Sequence, residues 1–335
     1  MTSVTLADCP IGPTLCGMST GTKGPALSRI LIPCAILLVL LGIARQSGAA
    51  ERVWRALSGH RLPVEAPTPV AAAKPALSEH EQEWLYKQPP QTQMEELMRD
   101  AINHDEGATQ MIAELLPSWR GQLRNTKGWN SLMMTALYSN DLRVRAAAIE
   151  TNLEVFNLSK DATVAQQIID HANDDASARP WAAWMLGMLA SRGVATDKVV
   201  TQLEDWLHDP DEQTRIWSVE GLALVGTDRT IADFVSVLRD DESPKVRERA
   251  GCSLAKSGML TRVQRMQAVP GLIDLAEQAS LDSETRKWTY QALREITEQN
   301  ISNNAADWRD WYLSHGQDQT KKFASADGNQ VLGNS

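Results

Sequence analysis

The chain has 335 residues, 43% hydrophobic and 22% charged, which is enough apolar material for two average domains or one longer array and excludes wholesale disorder. Its 33 basic and 42 acidic side chains leave a net charge of -9, and an acidic surface repels nucleic acid instead of releasing phosphate counterions. The imbalance is uneven, because residues 1–78 hold seven basic and three acidic side chains and leave 26 against 39 beyond.

Residues 1–29 read as an N-terminal tail. Residues 30–44, ILIPCAILLVLLGIA, carry no charge and are bounded by Arg29 and Arg45. At ~1.5 Å per residue this run makes roughly 22 Å of helix against a hydrocarbon core of ~30 Å, so it suits a signal-peptide core or a short membrane anchor. Met18 offers an alternative start with Lys23 and Arg29 ahead of the apolar run, and Ser47-Gly48-Ala49 supplies small residues at a cleavage point before Ala50. Against cleavage and export stand Arg45, Arg52, Arg55 and Arg61 on the far side, which by the positive-inside bias would leave the body of a retained anchor in the cytoplasm. The expectation is a protein of the cell envelope, exported or anchored at the inner membrane, with a cytoplasm-facing anchored form as the alternative.

Residues 45–90 read as a flexible linker. Pro63, Pro67, Pro69 and Pro75 stand among alanines, a composition that extends as a tether and nucleates no core. Ser78-Glu79-His80-Glu81 and Thr92-Gln93-Met94-Glu95 both match the helix-opening box, and ordered helix is expected to begin between them. Residues 91–127 read as a helix pair that caps the body of the chain at its N-terminal end. Three of the four cysteines lie within the first 34 residues, so no disulfide framework spans the body, and Cys252 reads as a small buried residue.

Beyond residue 90 apolar side chains recur at three and four, and Gly, Pro, Asp and Asn break the pattern every 12 to 18 positions, which predicts an all-α body. A motif recurs within it: Arg145, Arg179, Arg215, Arg247 and Arg286 are spaced by 34, 36, 32 and 39 residues. Three positions after each arginine is a small or hydroxylated residue, and seven after it four copies have leucine, at Leu186, Leu222, Leu254 and Leu293. The first copy has Asn152 there. Asp141, Asp175, Asp211, Asp241 and Asp282 precede the arginines by four or six places, where each is placed to cap the second helix of a pair. Two helices and two turns need about 35 residues, and one such hairpin lacks the core to stand alone, so neighbours must stack. The arginines sit at the edge of the buried face, where each is expected to reach the turn carboxylate of an adjacent repeat and set the register, if it is not merely solvated.

Val144-Arg145, Asp209-Pro210-Asp211-Glu212-Gln213-Thr214-Arg215 and Asp241-Glu242-Ser243-Pro244-Lys245-Val246-Arg247 resemble the HEAT repeat, particularly its bacterial PBS-lyase-like subtype with a D-x-x-V-R-x-x-A signature. Arg179-Pro180 departs from it by placing proline in the first turn, where it is tolerated. The resemblance implies a right-handed alpha-alpha superhelix (a HEAT/ARM-like solenoid) over residues 128–315, and a binding habit without a reaction. Trp308 and Trp311 are similar to the aromatic end-cap of bacterial HEAT proteins, and residues 316–335 read as a disordered tail.

Eleven tryptophans against three phenylalanines is an unusual ratio. Trp181, Trp217 and Trp288 each lie two residues after a repeat arginine, and either they fill gaps between repeats or their edges emerge and anchor a partner. Arg247, Arg249, Arg262 and Arg265 form a basic cluster in an acidic body, either a solvated face or a contact for an acidic partner segment, and Arg249 joins the tryptophans as a candidate partner-binding residue. No catalytic or metal-ligating residue is expected. The six histidines are scattered, and the single His80-Glu81 pair lies outside the repeats, unlike the several pairs of di-iron HEAT hydroxylases. HEAT-like DNA glycosylases need a basic groove, which this composition opposes. The expected function is a scaffold that holds a protein or peptide, with no cofactor, no nucleic acid, and a membrane contact only through residues 30–44 if they are retained. The alternatives are a lyase- or glycosylase-type HEAT enzyme and a permanent structural subunit of an envelope complex. Oligomeric state is not legible.

Overall fold

A helix begins where Ser78 accepts a hydrogen bond from the Glu81 amide at 3.3 Å and the Glu81 carboxylate reaches back to the Ser78 amide at 2.8 Å, so that two orphan donors are satisfied at once. This helix, α1 (Glu79–Tyr86), lies inside the stretch expected to be linker, so the linker boundary at residue 90 is corrected. The second predicted box, at Thr92, opens nothing. The next helix, α2 (Pro90–Ile102), already starts at Pro90, whose fixed φ and missing amide suit the first helical position. The computed structural model describes residues 77–332, with side chains to residue 326. The expectations for residues 1–76, including the apolar run and most of the linker, fall outside the described residues. Among the described residues there is no strand, and no helix is long and apolar enough to cross a membrane.

After α3 (Ala108–Trp119) come the hairpins that the arginine spacing predicts. They are α4 (Lys127–Leu137) with α5 (Leu142–Val155), α6 (Ala162–Asp174) with α7 (Arg179–Ser191), and α8 (Thr196–Trp206) with α9 (Glu212–Val225). Two more hairpins complete the series, α10 (Thr230–Asp240) with α11 (Pro244–Ala255) and, beyond the short α12 (Arg262–Met266), α13 (Val269–Glu277) with α14 (Ser283–Thr297). The second helices form one row, α5 on α7, α7 on α9, α9 on α11 and α11 on α14. Asp141, Asp211 and Asp282 cap α5, α9 and α14 with their carboxylates. Asp175 instead caps a short 3₁₀ turn, Ala176–Ala178, that precedes the Arg179-Pro180 start of α7. Asp241 accepts from the Ser243 amide at 2.8 Å while Ser243 takes the N-cap place of α11. For those two the capping expectation is corrected.

The repeated positions make the spine. Val144, Thr214, Val246 and Thr285 before the arginines, Ala148, Ala182, Ser218, Ala250 and Thr289 three after, and the four leucines seven after are all at most 1% exposed. Where the first repeat lacks leucine, Asn152 is equally buried, and its carbonyl accepts from the Trp129 indole at 3.1 Å. α7 and α9 meet almost backbone to backbone: a Cβ added to Gly187 would fall 2.5 Å from the Gly221 carbonyl oxygen. Only glycine permits that approach.

The N-terminal end is closed by α2, which packs on α3, α4 and α5. The other end is closed by a 28-residue helix, α15 (Ala305–Leu332), against α12 and α13. It continues through residues expected to be a disordered tail, for a physical reason visible in its contacts. Phe323 is buried with the Arg262 guanidinium 4.9 Å from its ring centroid, and the Gln319 amide donates to the Thr297 carbonyl at 3.1 Å. At the start of α15, Trp308 is fully buried with its indole donating to the Ser302 carbonyl, and Trp311 meets it edge-on at 6.2 Å.

Candidate partner-binding row

The first turn of each second helix carries an arginine whose guanidinium folds back on the turn before the helix. Arg145 donates to the Ser139 carbonyl at 2.6 Å, Arg215 to that of Asp209 at 2.9 Å, and Arg247 to that of Asp241 at 2.7 Å. The remaining donors reach forward. Arg179 pairs with Asp209, Arg215 with Asp241 at 2.9 Å, and Arg247 with Asp282 at 3.5 Å and the Thr285 hydroxyl at 2.9 Å. This ladder joins consecutive repeats by charge-assisted bonds, and its middle rung is dry, with Arg215 and Asp241 only 7% and 6% exposed. Asp209, six residues before Arg215, takes the acceptor place for Arg179, while Asp211 serves only as a cap. Both ends of the series depart from the expected ladder. Arg286 has no later hairpin of the series and binds the carbonyls of Ala276, Gln278 and Leu281. Arg145 passes over Asp175 and binds the carbonyls of Lys256 and Gly258.

One turn along the same helices runs a second line. Two residues after the ladder arginines stand Ala147, Trp181, Trp217, Arg249 and Trp288, and five after them stand Glu150, Trp184, Glu220, Cys252 and Gln291. Trp181, Trp184, Trp217 and Trp288 are all partly exposed and packed against the core. Trp184 meets Trp217 edge-on at 5.2 Å across α7 and α9, and Phe156 meets Trp181 at 6.5 Å. Arg249, in register between Trp217 and Trp288, pairs with Glu220 at 2.9 Å and donates to the Tyr138 hydroxyl at 3.0 Å. The carboxylate holds that guanidinium more firmly protonated, while burial pushes the Glu220 carboxyl upward against the pull of Arg249. Trp184, Glu220 and Tyr138 were missed from sequence. The first two carry a signal, since both fall five residues after a repeat arginine.

The expected basic cluster is not one patch. Arg247 is spent in the ladder and Arg249 on Glu220, whereas Arg262 faces Glu298 at 3.5 Å and the Phe323 ring. Arg265 is buried, with the carbonyls of Ser253, Leu254, Ser257 and Leu260 around it. Cys252, expected inside, is exposed. A recess of about 440 Å³ opens between the α5–α6 and α7–α8 turns, lined by Glu150, Lys160, Arg192 and Gly193 among others, and there Glu150 neutralises both cations at 2.9 and 3.0 Å. Among the described residues no group of His, Cys, Asp and Glu is placed to hold a metal ion.

A ladder of arginines on stacked two-helix repeats defines a class of protein, the helical solenoids. Residues 162–255, from the start of α6 to the end of α11, match the family model for HEAT repeats. No curated protein matches the chain. Among solved structures, a crystal structure of an engineered protein aligns with 61% of this chain and 96% of its own at 16% identity and a TM-score of 0.30.

Proposed function

We propose that the chain is a scaffold of the cell envelope that holds a protein or peptide on the tryptophan row of its second helices and does so without turnover. HEAT repeats commonly mediate protein–protein contacts. The observation that carries the reading is the alignment of four partly exposed tryptophans on α7, α9 and α14 with Arg249 in register among them. Large rings that are held rigidly on one side and wet on the other lose little side-chain entropy on binding, which is why such residues dominate interface energetics. Trp181, Trp217, Trp288 and Arg249 are the proposed contact residues. The PBS-lyase-like subtype is the finer family reading, supported by the Asp-x-x-x-Arg spacing at Asp141–Arg145 and Asp211–Arg215. Placement at the envelope rests on residues 30–44, acting as a signal core or as an anchor.

The test is affinity capture from detergent-solubilised native cells with the parent chain and with a Trp217→Ala/Trp288→Ala variant, the mature N-terminus being sequenced in the same material. A partner retained by the parent and lost by the variant is expected. A partner retained equally by both would remove the row from the reading, and an N-terminus preceding residue 30 would replace cleavage by anchoring.

A further inference from the structure

Stacked hairpins form quasi-one-dimensional arrays in which each unit touches only its neighbours. The turn between α4 and α5 breaks that rule, because it reaches α11, three hairpins further on. Arg145 donates to the carbonyls of Lys256 at 2.9 Å and of Gly258, and the Tyr138 hydroxyl accepts from Arg249 at 3.0 Å, across 111 to 113 residues of sequence. Tyr138 and Arg145 thus straddle α11 from its first turns to just past its end.

The receptacle is built for a cation. The last turn of a helix presents unpaired carbonyls and the negative end of the helix dipole. At the end of α11 the Arg265 guanidinium takes the carbonyls of Ser253, Leu254 and Ser257 from within its own repeat, and Arg145 takes those of Lys256 and Gly258 from the first hairpin. Among the described residues no carboxylate lies at ion-pair distance from either arginine, and Glu295 acts on Arg265 only from further off. Burial lowers Arg145 to about 10 and Arg265 to about 9, so both remain charged at neutral pH. The loop that receives Arg145 is itself fixed. Gly258 holds a left-handed φ of 74° against the Ala223 backbone, and the Met259 amide donates to the Ala223 carbonyl at 2.8 Å. Glu220 of α9 pairs with the same Arg249 that meets Tyr138, so three hairpins converge on this contact.

We propose that the α4–α5 turn is a clasp that docks the first hairpin on the fourth, closes the row of second helices across α7 and α9, and opens as a unit. A guanidinium is needed, because an ammonium cannot span the carbonyls of Ser139, Lys256 and Gly258 together. Arg145 and Tyr138 are positioning residues in this device, and the clasp stands whether or not a partner occupies the tryptophan row.

The test is amide hydrogen exchange followed by mass spectrometry on the full chain, comparing the parent with Tyr138→Phe, Arg145→Lys and the double variant. The expected result is several-fold faster exchange both in the α4–α5 turn and in residues 256–259, largest in the double variant, with the α8–α9 turn unchanged. Acceleration confined to the α4–α5 turn, with residues 256–259 exchanging as in the parent, overturns the clasp. Tyr138 is an exposed ring outside the core, so its phenylalanine variant folds and decides the matter even where the arginine variants do not.

Discussion

Arg215→Met tests the ladder at its driest rung. The guanidinium makes two bonds to the Asp241 carboxylate, at 2.9 and 3.2 Å, and one to the Asp209 carbonyl, with both charged side chains less than a tenth exposed. Methionine keeps most of the stem and removes the charge, so the loss comes chiefly from leaving Asp241 buried without its cation. Breaking a buried pair from one side costs about 3–5 kcal/mol. The further pair, to Glu242, adds little because that carboxylate is 83% exposed. The removed bond to the Asp209 carbonyl adds about 1 kcal/mol. A loss of about 4–6 kcal/mol in urea unfolding of the full chain, followed by helical circular dichroism, is therefore expected. Arg215→Met/Asp241→Leu, which removes both charges, is expected to recover more than half of it. A single-variant loss below about 1 kcal/mol, the range of exposed pairs, would show that the rung is solvated in solution and that the stacking register is set by the apolar spine alone. Additive losses in the double variant would refute the desolvation argument specifically.

Three further outcomes are expected from particular contacts. Burial, reinforced by the nearby Glu204, raises Asp233 to about 6, and one of its carboxylate oxygens is buried without a hydrogen-bond partner. Its folded value lies above the unfolded one, so the charged form is the penalty, absent below pH 4 and complete above pH 6. Asp233→Asn should stabilise by roughly 1–2 kcal/mol at pH 7.5 and by nothing at pH 4, read from thermal melts at the two pH values. Gly187→Ala should destabilise by about 1–3 kcal/mol despite the ~1 kcal/mol that alanine gains in helix propensity, since its methyl meets the Gly221 carbonyl; a raised melting temperature would show that α7 and α9 separate freely. Asn152→Leu restores the residue type of the other repeats but strands the Trp129 indole, and a net loss of about 1 kcal/mol in chemical denaturation is expected.

The hairpin frame was legible in sequence because it rests on local spacing. An arginine every 32 to 39 residues, with small and leucine positions three and seven after it, fixes which face of each helix is buried whatever the neighbours do. Start signals were legible where one side chain suffices, as at Asp211 and Asp282, and failed where proline or a 3₁₀ turn provided the start, as at Pro90 and Ala176. The C-terminal helix failed for another reason. Residues 316–326 bury only Gly316 and the side chains of Gln319 and Phe323, and the surface that receives Phe323 is made by α12, a five-residue helix with no pattern of its own.

The tryptophan row and the clasp lie at opposite ends of what such spacing can reveal. Trp181, Trp217 and Trp288 stand at one frame position, so the frame that locates the core also locates the row, and Trp184 and Glu220 emerge from the same counting three residues on. The Arg145 contact does not. Its residue type and place are those of a ladder arginine, and nothing in the spacing marks its different partner. Arg145 reaches Lys256 and Gly258 past α7 and α9, two helices whose close approach only Gly187 permits. A methyl at residue 187 would push α7 and α9 apart and shift the first hairpin relative to α11. On this argument Gly187→Ala should weaken the clasp as well as the spine, although it lies in neither partner of that contact. Faster amide exchange at residues 256–259 in that variant is the expected mark of the coupling, and unchanged exchange there would separate the close approach from the closure.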